Sequence, residues 1–180
     1  MAAAGSGGGH GGAGHCRHHA FPSDGSAPRA AGKQVTMAKI SKINVRVRTA
    51  NVPEAATDGR VYAALAGREF RLETPGVDDF EQAAHATYTL GDGSNVTNTD
   101  QNDPRSPQLD TSDVTAHPVY IRFEEAGSQP AWAVEGATIE INPGTPSALK
   151  YDVTWLTGTG EGHYVWLGAD SGKQLNLRRK

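Results

Sequence analysis

The feature that most constrains this chain is the length and rhythm of its apolar runs. Each is short, many alternate, and most end at Gly, Pro, Asn or Asp. Ile43, Val45 and Val47 alternate with Asn44, Arg46 and Arg48, the period of a strand with one buried face. Val119, Ile121 and Phe123 repeat the pattern, and Ile139 with Ile141 gives its clearest instance. Around 58–80 two runs carry Val61 and Leu65, then Phe70 and Leu72, separated by Ala66-Gly67-Arg68. Acidic residues beside glycine bound the pair, which predicts a hairpin with carboxylates on its loops. Further strands are expected over 85–90, 149–156, 164–167 and 173–177. Pro75-Gly76, Asn142-Pro143-Gly144 and Gly158-Thr159-Gly160 supply turns. Residues 79–85 suit one helical turn with Phe80 packed inward, and no long helix is expected. Eight or nine short strands read from the sequence predict an all-β fold, an antiparallel β-sandwich of about eight strands.

The chain divides at about residue 37. Residues 1–36 are Gly, Ala, Ser, Pro and His with almost no aliphatic side chains, so they are expected to form a disordered leader. Met37-Ala38-Lys39-Ile40 reads like a natural start ahead of the first strand, and residues 39–180 form the expected domain. His10, His15, His18 and His19 lie near Cys16 in the leader. Imidazole and thiolate suit zinc or nickel, but the spacing matches no structural zinc motif. With one cysteine in the chain, no intramolecular disulfide can form. No run approaches the ~20 apolar residues of a spanning helix, and nothing resembles a secretion signal. The expected compartment is therefore the cytoplasm.

Residues 91–117 contain five aspartates among Asn, Ser, Thr and Pro, with Val96, Leu109 and Val114 as the aliphatics. They read as a long solvated loop. Asp92-Gly93-Ser94-Asn95 lacks the terminal glutamate and flanking helices of an EF-hand. Catalytic constellations are absent from the pattern. His85, His117 and His163 have no motif partner, Ser171 lacks a nucleophile elbow, and the glycines of 158–162 lie between strands. A net charge of −3 gives no field for nucleic acid. Trp132, Trp155 and Trp166 fall inside strand-like runs, where burial is expected rather than the planar strip a carbohydrate-binding sandwich would expose.

Three segments resemble the PLAT domain, the sandwich shared by polycystins, lipoxygenases, lipases and clostridial α-toxin. They are Thr57-Asp58-Gly59-Arg60-Val61-Tyr62, then Gly76-Val77-Asp78-Asp79-Phe80-Glu81, then Ile121-Arg122-Phe123-Glu124-Glu125 followed by Pro130-Ala131-Trp132-Ala133-Val134-Glu135. The likeness covers 43 to about 141 and extends to the strands after it, and residues 91–117 are not typical of it. It implies a non-catalytic binding module that docks to a membrane surface or a partner protein. The alternative is a protein-interaction or stress-associated sandwich that meets neither lipid nor calcium. Several family members bind calcium in loops at one end. The positions matching those loops are Asp58, Asp78 and Glu124, with Asp79 and Glu125 beside them. Two departures weigh against the metal. Ala56 stands where a glycine is common, and Arg60 brings a cation that can neutralise Asp58 instead. The membrane-docking tips offer only Val52 and Val77.

Overall fold

The computed structural model describes residues 37–129, 131–153, 156 and 163–180. Two compact units separate in the chain, Met1–Lys33 and Gln34–Lys180, and the first lies wholly outside the described residues. The expectations for the leader, for Trp155 and for the glycines of 158–162 lie outside them as well.

The second unit is all-β. Ten strands occur among the described residues: β1 (Lys42–Thr49), β2 (Arg60–Leu65), β3 (Arg68–Arg71), β4 (His85–Gly91), β5 (Tyr120–Glu124), β6 (Trp132–Ile141), β7 (Leu149–Asp152), β8 (Val165–Leu167), β9 (Gln174–Asn176) and β10 (Arg178–Arg179). They form two antiparallel sheets. One runs β10-β7-β6-β1-β4 with β8 paired to β6, and the other runs β3-β2-β5-β9. Both sheets turn one face to a single core, which is the sandwich arrangement. No helix among the described residues is long and apolar enough to cross a membrane.

The alternation read from the sequence sets the faces. Ile43, Val45 and Val47 of β1 are buried, and Val45 lies between Tyr88 of β4 and Ile139 of β6. Val61, Ala63 and Leu65 of β2 and Ile121 and Phe123 of β5 close the core from the opposing sheet. The β2–β3 hairpin turns at Ala66 (φ 52°) and Gly67 (φ 73°). Both residues are left-handed, as a two-residue turn requires if it is to follow the strand twist.

Three expectations change. The strand count rises to ten because a further short strand, β10, follows the expected run over 173–177. β9 pairs with β5 in one sheet, and β10 pairs with β7 in the other. Residues 79–85 make no helical turn. Phe80 (φ 69°) and Ala83 (φ 62°) are left-handed, and successive turns replace the helix, although Phe80 does pack inward at 5% exposure. Residues 91–117 are not a solvated loop. Val96 and Val114 are buried in the core, and Leu109 packs against it. A short helix, α1 (Thr111–Ala116), follows Asp110, whose amide donates to the Asp113 carboxylate at 2.9 Å. Aliphatic side chains are scarce here and carry no period, so composition hid the packing.

Candidate functional site

Two connections on the chain carry the aspartates singled out above: the β1–β2 connection and the β3–β4 connection. A cleft of about 120 Å³ opens between them, lined by Asp58, Arg60, Arg71, Glu73, Val77, Asp78, Asp79 and Phe80 among others. Phe80 pins the second connection to the core. Its ring stacks on Tyr88 at 5.7 Å between centroids and meets Trp132 edge-on at 5.1 Å. Trp132 is fully buried and donates from Nε1 to Thr49 Oγ1 at 3.0 Å, so it has no place in an exposed sugar platform. Asp79 Oδ2 accepts the Thr74 amide at 2.6 Å, which closes the turn over 74–79. The Tyr88 hydroxyl is buried beside Asp79. Burial first, then the neighbouring carboxylate, push its ionisation far above the ordinary tyrosine range.

Asp58 is held by the β5–β6 connection. Its Oδ2 accepts the Ser128 hydroxyl at 2.8 Å and the Ser128 amide at 2.9 Å. Those two bonds, the hydroxyl foremost, keep its carboxyl below the usual carboxylate range. Thr57, itself buried, adds a parallel tie: its hydroxyl donates to the Gln129 carbonyl at 2.7 Å and accepts the Gly59 amide at 3.0 Å. Gly127 completes the contact. It is left-handed (φ 70°), and a Cβ there would lie 2.4 Å from Asp58 Cβ, so only glycine lets the two backbones come this close.

Glu124 and Glu125 do not line the cleft, and each faces a cation. Arg60 sits opposite Glu124 in the β2–β5 register. Its Nη1 lies 3.2 Å from Glu124 Oε1, while the Tyr62 hydroxyl donates to Oε2 at 3.3 Å. Lys173 Nζ lies 3.2 Å from Glu125 Oε1. The expected Asp58–Arg60 contact is thus replaced by Arg60–Glu124, because cross-strand register, not closeness in sequence, decides which acid the guanidinium reaches.

The residues as arranged do not fit a ready calcium site. Calcium takes about six to eight oxygens. Asp58 and Asp79 each commit one oxygen to protein donors, and Glu124 faces Arg60. Arg60 and Arg71 share the cleft walls with the acids, Arg71 with its Nε 3.1 Å from Glu73 Oε2. Among the described residues no group of three or more His, Cys, Asp or Glu side chains is placed to hold a metal ion.

A second cleft, of about 470 Å³, is lined by Ser128 and Gln129 with Glu54, Ala131 and Trp166. The Trp166 ring is half-buried and meets Tyr164 edge-on, 6.3 Å between centroids. Both pack with Val52 against Ala50, Ala55 and Ala133 in a small apolar cluster of their own. Sequence reasoning found Asp58, Asp78, Asp79 and Val77. It missed Thr57, Gly127 and Ser128, whose contacts join loops about seventy positions apart and leave no local pattern. The one signal that could have pointed there is the glycine itself, Gly127 following Glu124-Glu125-Ala126.

No protein-family model matches the chain, and no match is found among curated proteins. Solved structures do match. Coral 8R-lipoxygenase, described as calcium-activated through a C2-like domain, is 17% identical over 77% of this chain and 17% of its own, with a TM-score of 0.50. The α-toxin of Clostridium absonum is 21% identical over 78% and 32%, with a TM-score of 0.48. The α-toxin of an avian strain of Clostridium perfringens is 19% identical over 82% and 34%, with a TM-score of 0.49. The chain spans about a third or less of the length of each. What is shared is fold: a PLAT-like, C2-like β-sandwich.

Proposed function

We propose that this PLAT-like domain is a non-catalytic binding module that docks on a membrane surface through the loop end carrying the Asp58 cleft. The observation that supports this reading is Val77. It is 56% exposed, one of two exposed large hydrophobics among the described residues, and it stands on the cleft wall beside Asp78. An apolar side chain held out on a short, anchored loop gains by entering a lipid interface, at ~25 cal/mol per Å² removed from water. Phe80, three residues on, fixes the loop, so little ordering cost remains to be met on docking. Val52, Tyr164 and Trp166 add apolar surface next to the β1–β2 connection. The protein donors on Asp58, Asp79 and Glu124 favour a module whose loops are set without calcium.

The test is co-sedimentation with phosphatidylcholine vesicles, with and without phosphatidylserine and with and without calcium. Saturable binding that Val77→Asp weakens several-fold at unchanged melting temperature supports the reading. Absence of binding to every vesicle composition overturns it and leaves a protein partner as the docking target. Binding that appears only with calcium overturns the metal-free part alone.

A further inference from the structure

β3 is the outermost strand of the four-stranded sheet. The Leu72 amide donates inward to the Val61 carbonyl at 2.9 Å. The amide of Arg71, one residue earlier, therefore faces away from β2. A sheet edge of this kind is a template for another strand unless something covers it. Here the chain covers it with its own insertion. Asn102, 4% exposed, accepts the Arg71 amide on Oδ1 at 2.9 Å and donates from Nδ2 to the Thr97 carbonyl at 2.8 Å. The Thr97 amide donates to the Glu73 carbonyl at 2.8 Å. The Arg68 guanidinium gathers the carbonyls of Asp103 at 2.8 Å and Ser106 at 2.9 Å, and also that of Gln101. Residues 97–106 contain no strand. They cap the Arg71 amide of the edge with the Asn102 carboxamide, and the Arg68 guanidinium of β3 tethers them in place, with no ladder formed.

The edge beneath is self-complementary. In an antiparallel pair of two β3 strands centred on Phe70, Glu69 of each copy lies opposite Arg71 of the other. Glu69 and Arg71 are the residues whose backbone groups point outward, so they would form the hydrogen-bonded pairs of the ladder. Their side chains share the outer face, which sets two Glu–Arg cross-strand pairs, while Phe70 stays on the core face. In the covered state the same side chains are engaged elsewhere, Glu69 with Arg122 at 2.7 Å and Arg71 with Glu73 at 3.1 Å. We propose that residues 97–106 are a guard over a latent self-pairing edge, and that β3, once uncovered, pairs with β3 of a second copy of this chain.

The experiment measures the mass of the full chain in solution by light scattering after size exclusion, with circular dichroism to verify folding. Arg68→Ala/Asn102→Ala removes the guard's anchors and is expected to add a second copy to the mass of the unaltered chain. Adding Glu69→Lys places Lys opposite Arg71 and is expected to return the mass to that of the unaltered chain, while Glu69→Lys alone leaves it unchanged. Should the double variant not fold, Asn102→Ala alone uncaps the Arg71 amide and is expected to raise the mass in the same way. Folded variants with the unaltered mass, or an association that Glu69→Lys does not reverse, overturn the proposal.

Discussion

Asp58 accepts two hydrogen bonds from Ser128, a residue seventy positions away, at 2.8 Å from the hydroxyl and 2.9 Å from the amide. The bond joins the β1–β2 connection to the β5–β6 connection and makes Asp58 and Ser128 a common wall between the two clefts. One charged side chain therefore sets the position of two surfaces. Because both donors favour the ionised carboxylate, the folded pKa lies below the unfolded one. The contact is at full strength above the ordinary Asp range, around pH 4, and is lost as pH falls through the depressed folded value. Amide exchange at Gly127–Gln129 should accelerate in that acid window while β1 and β6 stay protected. Ser128→Ala should move the Asp58 pKa up toward the ordinary value in an NMR titration, since it removes the strongest of the donors. An unchanged titration would show that the amide alone holds the charge.

Gly127→Ala should destabilise the domain by about 2 kcal/mol or more, from a left-handed backbone costing roughly 1–2 kcal/mol and from overlap with Asp58. Gly144 supplies the control. It is also left-handed, φ 78°, but a Cβ there meets nothing within 4 Å, so Gly144→Ala should cost only the backbone part, roughly 1 kcal/mol. Urea unfolding of the two variants separates steric overlap from backbone strain. Equal losses would mean that the β5–β6 connection moves aside freely.

Ile139 tests the core. It is fully buried and lies between Val45 of β1 and Tyr151 of β7 in the ladder. Ile139→Ala should cost ~2–4 kcal/mol through lost burial and a cavity. Its neighbour Thr138 is only half-buried on the other face, so Thr138→Ala should change stability by less than ~1 kcal/mol. Chemical denaturation of the pair checks that β6 presents the face its period-two pattern assigns.

How far the sequence could be read follows from which interactions are local. β1 and the second half of β6 were legible because alternation records burial directly, residue by residue. The β2–β3 hairpin was legible because its turn is written in adjacent residues, Ala66 and Gly67. Phe80 was recognised as core, yet its left-handed backbone was not, because nothing beside it demands one. The insertion misled most. Val96, Leu109 and Val114 looked too sparse to pack, although each reaches the common core. Asn102 looked like loop polarity and is a buried edge cap. Partner choice was illegible for the same reason. Arg60 stands two residues from Asp58 but pairs with Glu124, and only the β2–β5 register states that.

That pairing also shapes the response to calcium. Four of the five acids proposed as ligands from sequence have a distinct neighbour in the fold, and the fifth, Asp78, lines the cleft. Asp58 has Ser128, Asp79 has the Thr74 amide, Glu124 has Arg60 and Glu125 has Lys173. A cation entering the cleft would have to displace Ser128 or bind with the remaining oxygens of Asp58, Asp78 and Asp79, beside the Arg60 and Arg71 guanidiniums. Like charge near the site raises the cost of placing a divalent ion there. Millimolar calcium should therefore leave the melting temperature of the unaltered domain where it was, because a ligand stabilises a fold only by binding it. Arg60→Ala removes one repelling cation from the cleft wall, so this variant should gain a calcium-dependent rise in melting temperature. Adding Asp78→Asn to it should abolish that rise. Calorimetric titration of the two variants and the unaltered chain decides the matter. Saturable calcium binding by the unaltered chain, lost in Asp78→Asn, would show that the cleft opens around a metal despite its protein donors. A silent Arg60→Ala would show that the guanidinium is not what keeps the ion out.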